Sequence, residues 1–273
     1  MSTQETSLPK FSHEDRIRMH FQRKKIRTEA KAYIKERVFR LVPFAFLFLL
    51  APLLESVIGL FVVQPVFIYV ISILLDMLLF PISVIGVANV MMGVWNKNCV
   101  VWSDLLIAVR SPKRFINAIL IISASSVLNW FLNLFSGEWV MYPRLLADLF
   151  AVFFAFVPFL YSRNPDARAI DLIKDSFRKV YRFFWQWIAM VLQAGKGIWI
   201  TLLVGAIVIS AVVFNMSVQS LPSVNTGLFV IAMEIPIALF FLPYYLLATT
   251  GFINDQVLTA GQTKPEEITP SPV

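Results

Sequence analysis

Cysteine and histidine are nearly missing from this chain. The single cysteine, Cys99, leaves no partner for an internal disulfide and no cysteine cluster for a metal. The two histidines, His13 and His20, both fall in a polar N-terminal stretch, far from every apolar run. There is no H-E-x-x-H, no G-x-S-x-G and no glycine-rich loop ending in Lys-Ser/Thr. Zinc hydrolase, nucleophile-elbow and nucleotide-binding chemistries are therefore excluded. With no catalytic constellation the chain reads as a non-enzyme, and neither a cofactor nor a metal site is expected. Charge is scarce too: 15% of residues are Asp, Glu, Lys or Arg, against about a quarter in soluble domains.

What fills the space is hydrocarbon. Apolar residues make up 58% of the chain, with 25 phenylalanines, and they come in runs long enough to cross a bilayer, for which about 20 residues suffice. The expected fold class is an all-α polytopic membrane protein with six spans in three hairpins, at about 41–63, 66–94, 115–135, 143–162, 198–218 and 226–250. Residues 1–40 form a basic N-terminal arm, partly helical; 251–273 read as a disordered cytoplasmic tail. No small-residue cleavage site follows the first apolar run, so a removable secretory signal is not expected. The segment 183–197, "FFWQWIAMVLQAGKG", is apolar but ends in Lys196 and reads as a helix at the interface or entering obliquely. Basic residues stay on the cytoplasmic side. Of the 24 Lys and Arg, only Arg144 falls on the opposite side in this layout. Both termini are thus expected in the cytoplasm, with the protein in the plasma membrane.

The stretch "AFVPFLYSRNPDARAIDLIKDS", 155–176, changes solvent halfway. Asn164 is suited to cap a new helix, with Pro165 in its first position and Asp166 in its first turn. Ala169, Leu172, Ile173, Ser176, Phe177 and Val180 then recur three or four apart and form one apolar face. A proline-aromatic pair ending a span, then Asn164-Pro165, an amphipathic helix and Ser176, resembles a family of bacterial six-span integral membrane proteins of unknown function. That family is related to the membrane region found with some glycerophosphodiester phosphodiesterases. The resemblance covers 78–200 best, and it implies a fold rather than a chemistry. A threefold plan is also visible. Basic amphipathic stretches (33–41, 104–115, 171–183) precede the odd spans, and Pro81, Pro158 and Pro243 sit in the even ones. Pro52, Pro81, Pro158 and Pro236 are expected to kink their helices.

Ionisable groups inside spans are costly, about 2.5–3.5 kcal/mol each on insertion scales, so those present need a reason. The candidate polar cluster is Glu55, Asp76, Asp148 and Glu234, with Asn129 and Asn133 on one face of the third span and Arg144 four residues before Asp148. One reading is an outward-open acidic cavity for a cation, proton or amine. The other pairs Arg144 with Asp148, leaves Glu55 near water, and has Asp76 and Glu234 protonated or bonded to Ser and Asn. The arm, ten Lys/Arg against four acids over 11–40, suits an anionic leaflet at up to about 1 kcal/mol per charge. It lacks the aromatic platforms of a nucleic-acid reader. The expected partners are therefore the lipid bilayer, with anionic lipids at the arm, and no nucleic acid. The expected function is a scaffold, assembly or accessory component of the membrane. The alternative is a small-solute or ion transporter built on the acidic cluster.

Overall fold

Leucine, phenylalanine and isoleucine without turn residues between them leave the backbone only its own carbonyls to bond, and the chain answers with helices. The computed structural model describes residues 13–59, 65–96, 102–132, 150, 152–215 and 235–258. Every regular element among them is helical. In order they are α1 (His13–Phe48), α2 (Leu50–Gly59), α3 (Pro65–Phe80), a π-turn (Pro81–Gly86) and α4 (Val87–Trp95). A 3-10 turn (Trp102–Leu106), α5 (Pro112–Leu132), α6 (Val157–Arg163), α7 (Ala169–Ala194) and α8 (Lys196–Asn215) follow. A second π-turn (Ile237–Phe241), α9 (Leu242–Phe252) and a third π-turn (Ile253–Leu258) close the described chain.

Val70–Trp95 is the one described helix long and apolar enough by itself to cross a membrane, with mean hydropathy 2.4. Only 28% of its apolar window is buried by the rest of the chain, so most of that surface faces outward. The pair Ala169–Ala194 and Lys196–Gly205 passes the same test together, bent by 63°. The 183–197 segment is thus no separate element. It continues the amphipathic helix without a break to Ala194, and the bend falls at Gly195.

α9 is the hub: α1, α4 and α7 all pack against it. Phe44, Met91, Phe156, Met190, Leu247 and Phe252 are among the side chains fully enclosed where these helices meet. Close van der Waals fit at such contacts makes small residues at the crossings important. Gly86 shows this. A Cβ there would run into the carbonyl oxygen of Leu105, so the π-turn rests directly on the 3-10 turn's backbone. Gly251 does the same for an indole: a Cβ would come within 2.6 Å of Trp95 ring atoms.

Two expectations are corrected. The basic arm, expected to be partly helical, is the first part of α1, two helical pieces meeting at a kink at Arg37 (φ −139°, ψ 23°) with Pro43 in the second. Its Ile26 and Ala30 are buried. The tail begins later than 251, because Gly251–Leu258 continue α9 and all but Asp255 are buried; residues 259–273 lie outside the described residues. The helix after Asn164 starts at Ala169, with Arg168 extended before it. Asn164 instead ends α6, and 165–167 form a turn. The physical reason is that Asp166 has a better partner than a helix N-terminus, described next.

Candidate functional site

A cavity of about 330 Å³ lies at the centre of the helices. Phe80, Val84, Val87 and Met91 wall it on the α3–α4 side, and Ile121, Ser125 and Ser126 on the α5 side. The segment around Phe154–Phe159, Trp187 of α7 and Tyr245, Thr249 and Thr250 of α9 complete it. Among the described residues, no Asp, Glu, Lys, Arg or His lines it. Three of its hydroxyls bond their own helices: Thr249 Oγ1 donates to Tyr245 O at 2.7 Å, Thr250 Oγ1 to Leu246 O at 2.6 Å, and Ser125 Oγ to Ile122 O at 2.9 Å. Back-bonding of this kind spends the hydroxyl protons on the helix and leaves those stretches of wall largely apolar. The size and lining suit an apolar guest.

At one end of the helices a set of polar bonds fastens elements that are distant in sequence. Arg114 grips Asp166 with two bonds, Nε to Oδ1 at 2.9 Å and an Nη to Oδ2 at 2.8 Å. The bond from Arg114 holds the Asp166 carboxyl below its usual range, and the Asp166 bond in turn raises Arg114. Tyr161 Oη donates to Arg114 O at 2.8 Å, and Asn117 Nδ2 to Ala167 O at 3.2 Å. This ties the turn after α6 to the start of α5. Ser176 Oγ donates to Phe153 O at 2.6 Å, joining α7 to the chain before α6.

The last π-turn is fastened from three sides. Arg163 of α6 donates to Leu258 O at 3.0 Å and Lys179 of α7 to Val257 O at 3.4 Å. Cations there satisfy orphan carbonyls and oppose the negative end of the helix. From α4, Trp95 Nε1 donates to Asp255 Oδ1 at 3.0 Å, while Asn254 Nδ2 bonds Asn96 Oδ1 at 3.1 Å. The result is a clasp across α4, α6, α7 and α9.

The expected polar cluster is only partly brought together. Glu55 of α2 bonds Ser72 of α3 and lies beside Asp76; neither acid lines the cavity. Asn129 belongs to α5, but its side chain, like Asn133, Arg144, Asp148 and Glu234, lies outside the described residues. Among the described residues no group of His, Cys, Asp or Glu is placed to hold a metal. The clasp residues were not foreseen as a unit. Their signal was present as Trp95-Asn96 and Arg163 at the ends of α4 and α6 and Lys179 within α7, but pairing them with residues 254–258 needs the topology. No family profile, curated protein or solved structure matches this chain.

Proposed function

We propose that this chain is a multi-pass protein of the cytoplasmic membrane, with six helical spans in three hairpins and both termini inside, acting as a scaffold, assembly or accessory component. The clasp carries this reading. Bonds donated by Arg163, Lys179 and Trp95, and one accepted by Asn96, converge on residues 254–258, holding the helix ends against the separation that alternating access requires. The six-span layout draws on the outward-facing apolar surface of Val70–Trp95 and on the one-sided distribution of Lys and Arg. The exposed flank of α7, with Lys174, Arg178 and Tyr181, is where a partner would be met.

A second reading, transport of a small solute or ion, draws on Glu55 beside Asp76. Their position outside the cavity lining weighs against it. Two measurements separate the readings. In a Cys99→Ser background, Lys174→Cys labels from the cytoplasmic side only, and a photocrosslinker at Arg178 captures one reproducible membrane partner. Solute or proton flux in proteoliposomes that vanishes in Asp76→Asn, with no crosslinked partner, overturns the scaffold in favour of the transporter.

A further inference from the structure

Arg23 and Arg27 stand one turn apart on α1, flanking the buried Ile26. Side chains spaced i, i+4 share one helix face, where like charges repel. Both are half-buried, and the Nε of each is shut off from solvent with no hydrogen-bond acceptor among the described residues. Among the described residues Arg23 reaches only a main-chain oxygen, Gln186 O of α7, at 3.4 Å, long for such a bond. Arg27 lies near Tyr244 of α9. Neither has an ion pair among the described residues. The neighbouring acid, Glu29, faces Lys25 at 3.9 Å on the exposed side. Burial, and then the charge of Arg27, push Arg23 below its ordinary pKa.

A covered pair of guanidiniums with donors to spare is unstable unless an anion joins it. The oxygens of a phosphate accept from both forks at once, which a point acceptor cannot do. Depth points to the source. Trp185, next to Gln186, is 76% exposed, and Tyr181 on the same helix is 67% exposed; such amphipathic rings settle at headgroup level. We propose that Arg23 and Arg27, where α1 packs against α7 and α9, form a receptor for a phosphate group, supplied by an anionic phospholipid headgroup. This rests on the membrane reading above.

The test compares full-length wild type, Arg23→Gln/Arg27→Gln and, as a charge-matched control, Lys24→Gln/Lys31→Gln on the exposed face. Each is extracted from membranes and placed in phosphatidylcholine nanodiscs with or without phosphatidylglycerol. Retained lipid is counted by native mass spectrometry and unfolding midpoints are measured. The wild type and the lysine control keep phosphatidylglycerol over phosphatidylcholine, whereas the arginine variant loses that preference about tenfold or more. In pure phosphatidylcholine the arginine variant melts at or above wild type, because the repulsion is gone; a purely structural role would lower it in both lipids. Equal loss in the lysine control, or an unchanged preference in the arginine variant, overturns the site. Inorganic phosphate stabilising lipid-free wild type as strongly as phosphatidylglycerol does overturns the lipid source while keeping the phosphate chemistry. A chain absent from the membrane fraction overturns the membrane reading itself, separately from these outcomes.

Discussion

Individual residues decide how tightly the helices meet. Gly86 faces a main-chain oxygen of Leu105 that has no rotamer to escape into, whereas nothing lies within 4 Å of a Cβ on Gly93. Gly86→Ala should therefore lose about 1–3 kcal/mol through overpacking, while Gly93→Ala, about two turns along the same helix run, should be neutral or gain up to about 1 kcal/mol from helix propensity. Thermal midpoints in detergent check both, and equal effects would remove the close approach. Asp166 sets a pH response. Its pKa is depressed in the folded protein by the Arg114 bond, so its stabilisation is full above the ordinary carboxylate range, about 4, and fades as pH falls through the lower folded value. Asp166→Asn should flatten that part of the acid limb in a melting series from about pH 6 to about pH 3, with little change in shape above it.

Elements show which parts of the fold the chain announces and which it conceals. The last π-turn depends on outside donors, so Arg163→Gln with Lys179→Gln should quicken amide exchange across Ile253–Leu258 and leave α4 and α7 protected. A cation at a helix end is worth about 0.3–1 kcal/mol, enough for local opening without global loss. The apolar face of α7 was legible because period and burial coincide: Ala169, Leu172, Ser176 and Val180 are all buried. Pro81 opens the first π-turn and Pro243 follows the second, each continuing a run that is already helical, so the missing N–H frees a carbonyl one turn back; Pro158 is at the second position of α6, where the N–H is not needed. The odd stretches conceal their form, being a kinked helix, a 3-10 turn leading to α5, and a long helix. The start of α7 was misplaced because local capping rules favoured Asn164, while Arg114, 52 residues earlier, claimed Asp166. A long-range ion pair leaves no mark in a local window.

At the scale of the molecule, Glu55 and Asp76, two of the acids that looked like the centre of a site, lie outside the lining of the cavity, which is mostly hydrocarbon. Ala155 lines the cavity, so Ala155→Leu should fill part of it and raise the unfolding midpoint, by the same logic through which an emptied cavity lowers it. A drop of several degrees would mean the space is already needed by something or is narrower than its outline. Composition made the oily interior foreseeable; which side chains would share it depended on helix rotation, which no periodicity in so uniformly apolar a chain records.

The fastening of residues 254–258 also has a tense. Those residues leave the ribosome after every helix they lock together, so α4, α6 and α7 must wait without their common fastening until residues 254–258 are made. A nonsense codon just before Ile253 would strand Arg163 and Lys179 without their carbonyls, leaving every earlier helix complete and the fastening between them missing.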